Sequence, residues 1–315
     1  MKSEVQPQQM TPADDPLPAL VAALRSYDPA QRLQAAKDVG RLGWLAREAL
    51  PTLVGTLQDG DAKVREAVAH AIGQMGPEAL PELSLMLNHR DKYVRRHAAW
   101  AMGRLGPLAR PALTAITAAL KDSDPRTASG IAQALGNMGT DGAEAIPALA
   151  EAMRGTNIVL CRLAAKALSQ IGPPAVATLI AHLQHSDPFV RGESAMAIGW
   201  MGSAARSAVP FLTQIVRGPR VASVRTPPPS SSVETDDLSD DEMGRRDSTT
   251  ITPPQTPPPA GVSSEESCRV YAAQALGRIG PPAAAALAEL RDAARTGFEA
   301  LRQAAGLSIK QIQGM

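Results

Sequence analysis

Residues 51–80 read PTLVGTLQDGDAKVREAVAHAIGQMGPEAL, and residues 81–110 read PELSLMLNHRDKYVRRHAAWAMGRLGPLAR. The two stretches align without a gap. Each opens on a proline, Pro51 or Pro81, a residue favoured in the first turn of a helix because the missing N–H has no partner there anyway. A short apolar run follows, then a turn closed by Asp61 or Asp91, and Asp is a good N-cap for a second helix. That helix ends at Gly76 or Gly106 with Pro77 or Pro107 behind it. Glycine can take the left-handed conformation that stops a helix, and proline cannot continue one. Each stretch therefore predicts a helical hairpin.

Working outward, the closing glycine recurs at Gly43, Gly76, Gly106, Gly139, Gly172, Gly202 and Gly280. The steps are about 30 to 33 residues until the last, which is longer by an insertion. A fixed period of this size is the signature of stacked repeats. In the first full unit Val64, Ala67, Val68, Ala71, Ile72 and Met75 fall on one helical stripe. A single hairpin cannot bury that stripe, but stacked neighbours can. Composition agrees: the chain has only three Trp, three Tyr and three Phe in 315 residues, which suits a thin core of small side chains.

The second helix repeats Asp-x-x-Val-Arg-x-Ala-x-x-Ala-x-Gly-x-x-Gly with small variations. This pattern resembles HEAT-repeat proteins of the short bacterial type also found in phycobilin lyases, over residues 17–217 and 267–315. The resemblance implies an all-α, right-handed α-solenoid of about eight HEAT-like hairpins. Residues 1–16 are expected as a disordered tail. Residues 17–217 hold repeats 1–6 and the first helix of repeat 7, and residues 267–315 hold its second helix and a C-terminal capping repeat. In that last repeat Arg302 is kept, Lys310 and Gln313 replace the glycines, and Gln303 and Gln311 make the outer side polar, as a terminal cap requires. The resemblance further implies a ladder between units made by the capping Asp and the Arg four residues on: Asp28/Arg32, Asp61/Arg65, Asp91/Arg95 and Asp187/Arg191. The ladder lapses where Ala128 and Cys161 replace the Arg. Gly130 also falls on the core stripe, so units four and five are expected to be the softest.

The insertion, residues 218–266, contains TPPPSSSVETDDLSDDEMGRRDSTTITPPQTPPPAG (226–261). Rich in Pro, Ser, Thr and Asp, it lacks the apolar surface needed to offset ordering entropy, and disorder is expected. Thr226, Thr252 and Thr256 each precede proline, Ser248 follows two arginines and an aspartate, and Ser239 sits among acids. These are candidate phosphorylation sites, although short matches of this kind arise often by chance. Its acidic residues, such as Asp236 and Asp240, are complementary to a basic face and suggest autoinhibition.

Helical phase turns the positions equivalent to Lys63, Glu66, His70 and Gln74 away from the core. In units three to six these positions include Tyr93, Arg96, Trp100, Arg104, Arg126, Arg162, Lys166, Phe189, Met196 and Trp200, and no acid. In HEAT-like folds the second helices line the concave face. Aromatic and Arg side chains are enriched at interfaces. The expected function is a non-catalytic scaffold that binds a protein partner, through an acidic or extended segment, on that face. The resemblance keeps open an alternative, a phycobilin-lyase-like enzyme or accessory subunit.

Other chemistries find less support. The deoxyhypusine hydroxylase relatives carry His-Glu pairs, whereas the equivalent positions here are Glu66-Ala67, Arg96-His97, Ser129-Gly130 and Gly192-Glu193, so iron is not expected. HEAT-like DNA glycosylases use aromatics with a carboxylate on a basic face. The ridge positions offer no carboxylate, and the formal net charge is +1, so nucleic acid is not the expected partner. His182, His185 and Asp187 lie near one turn and read as solvated polar surface rather than a metal site. No phosphate loop, nucleophile elbow or catalytic carboxylate pair is seen, and no cofactor is expected. Two cysteines, Cys161 and Cys268, far apart and without metal spacing, suit a reducing compartment. With no apolar leader and no apolar run of membrane length, the expectation is a cytoplasmic monomer.

Overall fold

A computed structural model describes residues 15–218 and 263–314. The candidate phosphorylation sites and the acidic residues between positions 234 and 242 lie outside them. Among the described residues all regular structure is helical, in short first helices and longer second helices. The chain divides into two compact units, residues 1–134 and 135–315.

In the first unit α1 (Leu17–Ala23), α3 (Leu50–Thr56) and α5 (Leu80–Met86) are the short helices. They pack on α2 (Pro29–Leu42), α4 (Ala62–Gln74) and α6 (Lys92–Leu105), which lie side by side. Next come α7 (Leu113–Ala118) and α8 (Pro125–Asn137), within which the division falls. The second unit holds the pairs α9 (Ile146–Met153) with α10 (Ile158–Ile171), and α11 (Val176–His182) with α12 (Pro188–Met201). It continues with α13 (Val209–Arg217) and α14 (Ser264–Ile279), then α15 (Leu287–Thr296) and α16 (Glu299–Gln313). Here α10, α12, α14 and α16 pack in succession. The eight hairpins among the described residues match the number that the resemblance implies.

The stripe of the first full unit is buried at Val64, Val68, Ala71, Ile72 and Met75, while Ala67 is only half-buried. Burying a side chain such as Ile72 contributes about 1.5–3 kcal/mol. Ala69, Ala99 and Ala101 are buried as well, because second helices in contact leave room for little more than a methyl group.

The closing glycines all have positive φ. Gly43, Gly76, Gly106, Gly172, Gly202 and Gly280 do not take the left-handed helical conformation expected of them. At Gly43 the pair is φ 57, ψ −133, and at Gly172 it is φ 85, ψ −144. A side chain tolerates this region still less than the left-handed helical one. It is needed because the chain must leave the second helix and enter a 3₁₀ turn at once, as at Pro77–Ala79 and Pro173–Ala175. Gly314, which ends α16, does take the left-handed helical conformation.

The second helix of the seventh hairpin starts at Ser264 rather than 267. Ser263 and Glu266 form a capping box: the Glu266 N–H donates to the Ser263 hydroxyl at 3.2 Å, and the Ser263 N–H donates to Glu266 Oε2 at 2.9 Å. The Ser-x-x-Glu spacing that signals it was present in the sequence.

The aspartates do cap their helices. Asp28, Asp61, Asp91 and Asp187 accept N–H groups from Ala30, Lys63, Tyr93 and Phe189. The arginines, however, reach a different acid from the one expected. Arg32 pairs with Asp59 and Arg95 with Asp122, each two residues ahead of the next unit's cap position. Arg191 pairs with Glu265. The capping oxygens already serve helix N–H groups. Each arginine also donates through Nη1 to carbonyls of its own turn: Arg32 to Ser26, Arg65 to Asp59, Arg95 to His89 and Arg191 to His185. The ladder thus ties a turn to its successor, while Arg65 has His89 where the others have an acid.

Candidate partner-binding face and a buried carboxylate

In the first unit the ridge of α6 carries Tyr93 and Trp100, seven residues and two turns apart and so on one face. Tyr93 is 39% exposed. Three cations surround its ring: Arg65 at 4.7 Å from the centroid, Lys92 at 5.4 Å and Arg96 at 5.5 Å. Trp100 is half-buried, with Arg104 at 5.3 Å and the His70 ring at 5.9 Å. A cation over an aromatic face is stabilised by the ring quadrupole and holds both groups in place. Arg96 faces an acid that helical phase did not reveal, Asp124, at 3.6 Å. The same Asp124 accepts the N–H and hydroxyl of Thr127, and these bonds with Arg96 hold its carboxyl below the usual range despite burial. Arg104 and Arg126 are exposed.

Beneath this ridge lies His97, only 3% exposed, with Nδ1 buried and unpartnered. Burial, reinforced by the positive charges of Arg65 and Arg96, lowers its pKa to about 4. The imidazole is neutral at physiological pH.

In the second unit Arg162 is exposed, while Lys166, Phe189, Met196 and Trp200 are half-buried. Arg162 lies 5.6 Å from the centroid of Phe189 and donates from Nε to Glu193 Oε1 at 3.0 Å. Glu193 is 2% exposed, and its second oxygen, Oε2, has no partner. Burial raises its pKa against the opposing pull of Arg162. Next to it is a cavity of about 140 Å³ lined by Arg162, Phe189, Glu193, Cys268 and Tyr271 among others. A carboxylate therefore does lie beside the ridge in unit six. Helical phase does not place it among the ridge positions, because Glu193 occupies the core stripe, in the register of Ala67 and His97. The available signal was an acid in a column that otherwise reads Gln34, Ala67, His97, Gly130 and Leu163.

Neither cysteine has the character of a nucleophile. Both are buried and free. Burial pushes the Cys161 thiol up to about 12 and the Cys268 thiol up to about 11, so both stay protonated at neutral pH.

His182 differs from the expectation of solvated surface. It is buried at the end of α11 with Nδ1 unpartnered, and burial lowers its pKa. The helix ends against the packed α12, which leaves its last residue enclosed. His185 Nδ1 accepts the N–H of Asp187 at 3.1 Å, a structural turn bond. Among the described residues there is no cluster of three or more side chains able to hold a metal ion, and no helix is long and apolar enough to cross a membrane.

Helical hairpins closed by glycine, with capped second helices and an inter-turn arginine ladder, define an α-helical repeat protein. The family model for HEAT repeats matches residues 17–85, 80–162 and 146–227. The chain belongs to the HEAT-repeat family. A search of curated proteins finds no match. Among solved structures it is similar to the complex of CpcE and CpcF of phycocyanin lyase from Nostoc sp. The identity is 20% over 93% of this chain and 97% of that one, with a TM-score of 0.39. It is also similar to Escherichia coli YibA (13% identity, 95% and 92% covered, TM-score 0.47). A third is a designed armadillo repeat protein in complex with a (KR)4 peptide (17% identity, 60% and 100% covered, TM-score 0.40).

Proposed function

We propose that the chain is a non-catalytic interaction module that binds an acidic, extended segment of a protein partner along its second helices. The observation that carries this reading is the α6 ridge, where Tyr93 and Trp100 stand in an otherwise aromatic-poor chain with Lys92 and Arg104 over their faces. Rings fixed by packed cations offer large contact area at small entropic cost, the character of interface anchors. Arg104 and Lys92, both exposed, attract acid, while Arg96 is balanced by Asp124 and positions the ring. The protonated, buried thiols support a binding role over covalent chemistry.

The test uses wild type and the Arg96→Glu, Trp100→Ala, Arg104→Glu triple variant, matched by circular dichroism. Cross-linking in native lysate followed by mass spectrometry should recover acidic segments linked to the wild type and lost from the variant. Segments recovered equally by both proteins, or without excess Asp and Glu, would refute the reading.

A further inference from the structure

A buried carboxylate needs hydrogen bonds to both oxygens, and Glu193 receives only one. Its Oε1 is held by Arg162 Nε, Oε2 is enclosed without a partner, and Glu193 lines an open cavity. The cavity is a built feature. Gly192 has no side chain, and a Cβ there would lie 3.2 Å from the Tyr271 ring; that ring therefore comes close against α12. Phe189 and Tyr271 supply aromatic lining, and α14 contributes Ser264, Ser267 and Cys268. At about 140 Å³, it has room for roughly four or five waters at ~30 Å³ each, or for one small planar group.

The charges define what that group is. Glu193 and Arg162 already neutralise each other, so a second full charge would enter a partly desolvated site without a counter-ion, at high cost. What remains unmet is one acceptor oxygen. At the lip, the guanidinium side chain is 51% exposed and Nε alone is committed to the carboxylate. A donor N–H beside an acceptor oxygen in one plane complements both, and a primary carboxamide has that arrangement.

We propose that the cavity beside Glu193 is a binding site for a primary carboxamide, which donates its N–H to Glu193 Oε2 and accepts from the Arg162 guanidinium. The amide comes either from a free aromatic carboxamide or from a Gln side chain of a partner. This site is independent of the α6 ridge, and neither reading needs the other.

Ligand titration by two-dimensional NMR on the full chain at about pH 8, where carboxylates favour ionisation, tests it. Benzamide, benzoate and benzylamine are matched in size and differ in charge. Benzamide should bind saturably, at least about tenfold more tightly than either, since losing a hydrogen bond to a charged group costs about that factor. Shifts should centre on α10, α12 and α14. Glu193→Gln and, at the half-exposed lip, Arg162→Met should each weaken benzamide by a similar factor; the second variant keeps the test valid if the first fails to fold. N-acetylglutamine methylamide against N-acetylglutamate methylamide distinguishes the sources: tighter binding of the glutamine compound than of benzamide assigns a partner side chain, and the reverse a free ligand. Benzylamine or benzoate binding as tightly as benzamide, no saturable benzamide binding, or benzamide binding unchanged in the folded variants overturns the proposal.

Discussion

Arg32 and Asp59 stand 27 positions apart and meet through two parallel hydrogen bonds, Nε to Oδ2 at 2.6 Å and Nη2 to Oδ1 at 2.8 Å. Arg95 and Asp122 repeat this at 2.6 and 3.0 Å. The acid serves a second purpose, since Oδ1 of Asp59 accepts the N–H of Asp61 and Oδ1 of Asp122 that of Asp124. One carboxylate thus orders its own turn and anchors the preceding helix. Accordingly the Asp59 carboxyl sits below its ordinary range, chiefly through the bond from Arg32.

Arg65 occupies the same register, but His89 stands at the position where the other turns carry the acid. Its Nε is buried without a partner, while His89 Nδ1 accepts the Asp91 N–H at 3.1 Å. Replacing His89→Asp should restore the fork and keep the turn bond. The variant is expected to be more stable by about 1 kcal/mol, after the lost ring contacts are set against a charge-assisted pair. Chemical denaturation with an unchanged m-value measures this; equal or lower stability would show that Arg65 cannot reach the new acid.

Two glycines should respond oppositely to a methyl group. A Cβ on Gly130 would meet only Ala99 Cβ, at 3.5 Å, an ordinary contact. Gly130→Ala is therefore expected to stabilise by up to about 1 kcal/mol through helix propensity. A Cβ on Gly277 would lie 2.9 Å from Ser308 Cα and 2.7 Å from its Oγ. Gly277→Ala should push α14 from α16 and cost about 1–3 kcal/mol. Thermal melts of the pair decide both signs.

Acid should weaken the fold through His97. Its folded pKa of about 4 lies below the ordinary value of about 6.5, so between these values the unfolded chain takes up a proton that the native state refuses. Stability from this group is complete above about pH 6.5 and falls by up to about 3 kcal/mol as pH drops to about 4. His97→Leu, with the residue found at the equivalent Leu163, should flatten that part of the stability–pH curve. A parallel curve for the variant would assign the acid sensitivity elsewhere.

The thiols should be silent in the native protein. With Cys161 and Cys268 buried and protonated, a thiol reagent at about pH 8 is expected to react with neither until denaturant is added, and then with both. Stoichiometric labelling of folded protein would expose one as reactive.

Amide exchange should be fastest among the second helices in α8 and α10, where Ala128 and Cys161 stand in the arginine's place. Protection spread evenly over α2 to α14 would mean that the ladder contributes little to local stability.

The hairpin register was legible because it rests on local chemistry. Gly43 through Gly280 mark turns whose backbone admits no side chain. Asp28, Asp61, Asp91 and Asp187 cap helices within three residues of themselves, and the Val64–Met75 stripe follows the helical period. The ridge residues Tyr93 and Trp100 were legible for the same reason, since phase alone turns them from the core. The arginine partners were not, because Asp59 and Asp122 lie 27 residues away on turns whose approach depends on how one hairpin stacks on the next. Glu193 was hidden for a related reason. In one helix it is a polar residue on an apolar stripe, and only the packing of α10, α12 and α14 determines that Arg162 reaches one of its oxygens and leaves the other without a partner. The sequence by itself determined where each helix starts, stops and faces, because propensity, capping and periodicity act within a few residues. Tertiary structure decided which charges meet and which stay unpaired, because Coulomb and desolvation energies depend on distances between chain segments that no local pattern records.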